Sequence, residues 1–246
     1  MFNSWNRNSA AWYGILFSAL VVGAFFARDL EWDVLWRNRW ALLYGLGTSW
    51  IFALVPIAIG IVVGAALAWA RADGPFFVRY PAVLFIELIR ATPQLMIILW
   101  VFFIYPEITG NVLPRSWSAI FALSLISSAY LAEVIRAGLE SVPSVQFESG
   151  YATGLSQLHI FIQIILPQAL RNMLPALIGI FVMLFKTTTL LYVLDISDFF
   201  YIANLINNRD LAPYTIYTLL GVVYFICCFT LSKAVQRMDP KYILQS

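Results

Sequence analysis

The chain has 246 residues, of which 61% are hydrophobic and 11% charged, and its mean hydropathy is +0.81. Those fractions lie far from those of an average soluble domain and describe a polytopic membrane protein. The net charge of +2 comes from arginines scattered singly, with no basic stripe, so nucleic acid is excluded as a partner.

A spanning helix needs about 20 mostly apolar residues, because each backbone N–H and C=O must find its partner within the segment once water is gone. Six segments meet this demand, at about 12–27, 47–70, 83–105, 117–138, 172–194 and 212–232. All are expected to be helices, giving an all-α membrane protein with six transmembrane helices. Arg7 precedes the first apolar run, but no small-x-small cleavage site follows it. That run therefore reads as a retained helix rather than a signal peptide. Residues 27–45 are charged and tryptophan-rich, too polar to span, and fit either an interfacial segment or an ordinary loop. Cys227 and Cys228 are adjacent in an apolar run, where disulfide geometry is rarely reached, and read as buried thiols. No internal repeat or long linker divides the chain, so 1–246 is expected to be one domain.

Orientation follows from Lys and Arg near the span ends. With the N-terminus in the cytoplasm, nine basic residues fall on the cytoplasmic side and five on the other, Lys186 lying within a span. The surplus favours that orientation and puts the segment at about 140–170 in the cytoplasm.

Several chemistries lack their residues. The sequence holds no G-x-x-x-x-G-K-[ST] phosphate loop and no H-E-x-x-H, and His159 is its only histidine. A His-based metal site or a Ser-His-Asp triad within one chain is therefore implausible, and "GLSQL" does not fit G-x-S-x-G. No enzymatic activity is expected.

The stretch "SVPSVQFESGYATGLSQLHIFIQIILPQAL" interrupts the apolar pattern. Pro143 and Ser144 suit a helix start, and Gly154 suits the left-handed residue that ends a short helix. Ser156 is placed to cap a second helix, with Leu155, Leu158, Ile162 and Ile165 on one side and Gln157 and Gln163 elsewhere. Pro167 is expected to end or redirect that helix. The product is a helix–turn–helix elbow, and loops of ~25 residues usually fold or function, which favours a docking surface over a plain connection. Glu148 either pairs with a basic partner residue or serves only its own helix dipole.

A second set of polar residues falls within the spans: Glu87, Arg90, Thr92, Gln94, Glu133, Lys186, Thr187, Thr188 and Thr189. A mid-bilayer lysine costs about 2.5–3.5 kcal/mol, so such groups usually face a cavity or a partner. Pro93 is expected to interrupt its helix, and a broken helix beside a polar cluster suggests a site for a zwitterion. Lys186 could attract a carboxylate or be neutralised by Glu133. Glu87 and Arg90, three apart, either satisfy each other or face the pathway.

The spacing of Glu148, Gly154, Ile164, Leu166 and Pro167 resembles the EAA loop of the integral membrane permeases of bacterial ABC importers. Ser149 and Gly150 stand where the family has alanines. Glycine costs about 1 kcal/mol relative to alanine in a helix interior, so a weaker first helix is expected. "LYGLGTSW", "FIELIRATPQL", "YLAEVIRAGLESVP", "LPQALRNMLPAL" and "KTTTLLYVLDISDFF" extend the resemblance, from about residue 43 to 235, to polar amino acid permeases, most of all the glutamate and aspartate branch.

That resemblance implies a type I importer permease in the bacterial inner membrane, working as a homodimer or with a homologous permease. It also implies two ATPase subunits that bind ATP and magnesium, a substrate-binding protein, and no cofactor in this chain. Leu155 joins the five loop residues above as ATPase-coupling candidates. Glu87, Arg90, Thr92, Gln94, Glu133, Lys186, Thr187 and Thr188 become substrate-pathway candidates, and a second permease chain becomes another counter-charge for Lys186. An ATP-independent secondary transporter or channel is the alternative, but it should show related hydrophobic halves, which are not seen.

Overall fold

Nothing between Trp32 and Asp73 obliges a helix to stop, and the 42 residues form one continuous helix, α1 (Trp32–Asp73), despite Pro56. At 1.5 Å per residue it is about 63 Å long, twice the ~30 Å hydrocarbon thickness of a bilayer. The tryptophan-rich stretch expected to be an interfacial segment or a loop is thus, from Trp32 onward, the first third of the same helix that spans. Asp33 sits in the first turn, where the helix dipole favours it. The computed structural model describes residues 29–236, so the run at 12–27 lies outside the described residues.

α1 is followed by α2 (Phe76–Ala91) and α3 (Gln94–Leu99), then a π-helical turn at Trp100–Ile104 and α4 (Tyr105–Thr109). α5 (Arg115–Glu140) leads into the elbow, formed by α6 (Ser144–Ala152) and α7 (Gln157–Ile160). A second π turn, Phe161–Ile165, joins α7 to α8 (Leu166–Thr187), and a 3-10 segment, Thr188–Leu194, follows. α9 (Phe199–Asp210) and α10 (Pro213–Gln236) complete the described chain. The described residues contain four helices long and apolar enough to cross a membrane, or five if the bent α2/α3–α4 pair counts as one. Each expected span from 47 onward lies in one of them.

α5 is the central helix, and its largest interface is with α1. The pair closes because small residues face each other: a Cβ on Gly60 would lie 2.2 Å from Ser127 Oγ, and one on Gly64 would lie 3.0 Å from Ala132 N and Ser128 O. In lipid, where apolar burial gives helices little reason to associate, this backbone approach supplies van der Waals contact. Ser127 Oγ donates to Pro56 O at 2.7 Å. Ile97, Ile98, Leu123, Ile126, Leu184 and Leu191 fill the core between α3, α5, α8 and the 3-10 segment.

Pro93 interrupts its helix as expected, and α2 and the α3–α4 segment meet at 113°. Pro106 and Pro167, in contrast, stop nothing. Each follows a π turn, in which the Tyr105 N–H reaches back to Trp100 O and the Leu166 N–H to Phe161 O. The i→i+5 register widens the turn that a proline ring would otherwise crowd, so the chain continues as one helical run, Gln157–Leu194. The expectation that Pro167 ends the second elbow helix is corrected on this ground.

α9 is not anticipated from the sequence. Asp198 caps it, Oδ1 accepting from the Tyr201 N–H at 2.8 Å, and Leu211 ends it with φ 52°. α9 lies against α1, where Ser49 Oγ accepts from the Phe199 N–H at 3.1 Å and Gly45 leaves room for Asp198 O. At its far end Asp210 meets Arg37 at 3.0 Å and Arg209 at 2.8 Å. The Arg209 hydrogen bond above all, with Arg37 second, holds the Asp210 carboxyl down to about 2. Both cysteines are free, Cys228 buried and Cys227 half-buried.

Candidate functional site

The elbow takes its shape from three residues. Gly154, at φ 77°, ends α6 in the left-handed conformation expected of it. Gly150 is buried against Ile160, whose Cγ1 would lie 2.7 Å from an added Cβ. The Ser-Gly departure from the alanines of the EAA pattern therefore coincides with a close helix contact. Ser156 occupies the N-cap of α7, but its Oγ lies 2.7 Å from His159 Nδ1 and makes no bond to the helix backbone. The expected cap is thus a side-chain contact instead.

The inward side of the second elbow helix also differs from expectation. Ile160 and Ile165 are 0% and 1% exposed, whereas Leu158 and Ile162 are 65% and 51% exposed. Buried residues recur at 160, 165, 169 and 173. The five-residue first step is the π turn, which shifts the apolar face relative to a 3.6-residue period. Leu155 and Ile164 are half-buried against this cluster. On α6, Val145, Glu148 and Tyr151 are exposed, and no hydrogen bond or ion pair engages Glu148 among the described residues.

The polar residues singled out within the spans separate into two groups. At the elbow end, Glu133 of α5 lies among three arginines from three helices. It is hydrogen-bonded to Arg136, ion-paired with Arg71 at 3.1 Å, and 4.0 Å from Arg90. Arg71 also donates to Glu87 at 3.1 Å, and Arg136 to Glu140 at 2.6 Å. The lattice of three arginines and three carboxylates joins the last turns of α1, α2 and α5 just before the elbow. Arg71, Arg136 and Glu140 are not among the expected site residues. Arg71 and Arg136 read, in the sequence, as orientation signals near helix ends. Arg136 stands three residues after Glu133 on α5 and Glu140 four after Arg136, and the packing of α1 on α5 brings in Arg71.

Glu87 and Arg90 do pair, as one of the two alternatives had it, in an i,i+3 ion pair at 4.0 Å, while Glu87 Oε1 also accepts a closer hydrogen bond from Arg71 at 3.1 Å. Glu133, engaged by arginines, does not neutralise Lys186.

The second group lies deeper in the bundle. Thr187 Oγ1 donates to Gln94 Oε1 at 2.7 Å, with Met183 O at 2.9 Å as a second acceptor. This bond ties the far end of α8 to the first residue after the Pro93 break. Thr188 is fully buried, its hydroxyl donating to Phe185 O. Thr92 Oγ1 returns to Leu88 O. Lys186 is exposed, with no ion pair among the described residues. Ala169, whose carbonyl faces Gly138 near the elbow, precedes Thr187 by about 27 Å of helix. The two groups are distinct hydrogen-bonding clusters, joined along the chain by the Arg90–Gln94 stretch across the Pro93 bend. Among the described residues no cluster of three or more His, Cys, Asp or Glu could hold a metal.

Comparison with known proteins follows the same lines. The family model described as "Binding-protein-dependent transport system inner membrane component" matches residues 19–243. The glutamate/aspartate import permease protein GltK of Escherichia coli O6:H1 is 33% identical over 220 residues, covering 87% of this chain and 98% of that protein. The probable glutamine ABC transporter permease protein GlnP of Bacillus subtilis is 33% identical over 223 residues, covering 89% of this chain and 98% of that protein. Among solved structures, a chain of an amino acid ABC transporter with histidines superposes with a TM-score of 0.79 at 25% identity, covering 87% of this chain and 99% of that one. A chain of the MetNI methionine ABC transporter gives 0.65 at 17% identity, covering 82% and 98%, and shares the fold.

Proposed function

We propose a substrate class and a coupling route for this chain, which belongs to the binding-protein-dependent transport system inner membrane components, the multi-pass permease subunits of ABC importers. It is an amino acid permease, a transport component rather than an enzyme. Its substrates are polar amino acids, with glutamate and aspartate favoured by the similarity to GltK. The permease works as a pair, with itself or a homologous chain, receives substrate from a binding protein, and is driven by two separate ATPase subunits that hold ATP and magnesium.

One observation carries the coupling route. α6 lies outside every candidate span, and its buried Gly150 fastens it to α7 while Val145, Glu148 and Tyr151 remain exposed. An apolar patch with one unpaired carboxylate, standing beyond the bundle, suits a groove with a basic residue on a partner. Motion of the elbow reaches α5 through Val142 and the 142–173 apolar cluster. Two side-chain clusters line the proposed substrate pathway: the charged lattice at the elbow end and the Gln94–Thr187 contact with nearby Lys186.

The test is charge reversal at Glu148. Glu148→Lys is expected to depress amino acid uptake and weaken copurification with the ATPase subunit, while the permease still inserts and pairs. Normal uptake and normal assembly in that variant would contradict the coupling route.

A further inference from the structure

Within the charged lattice, one cation is engaged differently from the others. Arg71 and Arg136 both hydrogen-bond carboxylates, whereas Arg90 makes no side-chain hydrogen bond among the described residues. Its nearest acceptors, Glu87 Oε1 and Glu133 Oε2, are each 4.0 Å away, and its guanidinium lies 5.9 Å from the Tyr130 ring centroid. Glu87 in turn uses only Oε1, for Arg71, and leaves Oε2 without a partner among the described residues. Their side chains are 34% and 53% exposed, on one face of α2, three residues apart and immediately before the Pro93 bend.

A guanidinium held only by two 4.0 Å ion pairs, with no hydrogen bond among the described residues, and a carboxylate with one oxygen unengaged there, three residues apart on one helix face, complement a zwitterion. A carboxylate accepts two parallel bonds from a guanidinium fork, and an ammonium donates to a carboxylate oxygen. The surrounding lattice holds as many carboxylates as arginines, so it does not trap an anion by bulk positive charge. A weakly held, neutral head group suits a station from which substrate must leave.

We infer that Glu87 and Arg90 form a head-group site for the transported amino acid at the elbow end of the pathway, Arg90 taking the α-carboxylate and Glu87 the α-ammonium. The inference rests on the amino acid permease reading and adds to it the chemical group recognised. It places specificity for the zwitterion here and leaves the side chain to be read elsewhere.

The experiment uses the complete complex of permease, ATPase and binding protein in proteoliposomes. ATP-dependent uptake is measured for L-glutamate, L-aspartate, L-glutamine and L-arginine, each against its α-carboxamide. In the wild type the free acid is expected to be preferred. Arg90→Gln should raise KM for the acid about tenfold or more while leaving the α-carboxamide nearly unchanged, so that the preference collapses. Arg90→Lys, which keeps the charge but loses the fork, should fall between. It serves as the deciding variant if Arg90→Gln does not assemble. An unchanged preference for the free acid in an assembled Arg90 variant overturns the site and leaves the permease reading standing. Failure of the wild-type complex to take up any of these amino acids with ATP overturns both.

Discussion

Gly150 and Ile160 touch across the elbow so closely that a single added methyl group has nowhere to go, its carbon falling 2.7 Å from Ile160 Cγ1 and 3.0 Å from Cδ1. Two effects oppose each other in Gly150→Ala. The helix gains about 1 kcal/mol of propensity, while overpacking a fully buried isoleucine costs about 1–3 kcal/mol. The clash is expected to win. Gly150→Ala should lower the elbow's protection from protease and weaken ATPase copurification, and a compensating Ile160→Ala, which removes all three crowding carbons, should restore part of both.

Thr187→Val removes the hydroxyl that joins α8 to Gln94 and leaves a part-buried amide oxygen without its donor. The loss should amount to about 1–3 kcal/mol. Thermal unfolding of detergent-solubilised protein should shift downward by a few degrees, and Thr187→Ser should recover most of the shift. A Thr187→Val protein as stable as the wild type would show that the Gln94 contact contributes nothing.

Gly64 of α1 faces backbone atoms of α5 rather than flexible side-chain ends. Gly64→Leu therefore requires the two helices to separate and should abolish the folded permease, read as loss of the monodisperse peak in size-exclusion chromatography. At Gly179 an added methyl would meet no atom of this chain within 4 Å, so alanine there should be tolerated in the same assay.

At the end opposite the elbow, Asp210 is held by Arg209 and Arg37, its carboxyl lowered to about 2 against an ordinary value near 4. A group depressed in the folded state contributes stability above its unfolded pKa and loses it as pH falls through the folded value. The α1–α9 contact should therefore be undisturbed at pH 5 and above and weaken progressively from about pH 4 toward pH 2. Asp210→Asn should remove that part of the acid dependence, as followed by tryptophan fluorescence from the Trp32–Trp40 region.

Much of the architecture was legible from apolar run length alone, because lipid forces each spanning segment to satisfy its own backbone. Pro93 and Gly154 were legible too, since each acts through its own ring or missing Cβ. What the sequence could not supply were the effects of register. The π turns at 100–104 and 161–165 carry no composition signal, yet the second one turns Ile160 and Ile165 inward and Leu158 and Ile162 outward. α9 had a readable start in Asp198 and a stop in the Leu211–Pro213 stretch, but its polarity masked it between two apolar runs. The charged lattice was half visible. Glu87, Arg90 and Glu133 stood out as charges in apolar company, and Arg136 was readable beside Glu133 from its i,i+3 spacing, while Arg71 joined them only through the packing of α1 on α2 and α5.

The central claim is that this permease moves amino acids only when a separate ATPase acts on its elbow. The most direct measurement is uptake of radiolabelled L-glutamate, L-aspartate, L-glutamine and L-arginine into proteoliposomes, with binding protein present throughout, comparing permease alone with permease plus ATPase subunits and ATP. Accumulation of at least one of these only with the ATPase and hydrolysable ATP is the expected result. Equal accumulation by the permease alone would contradict the account.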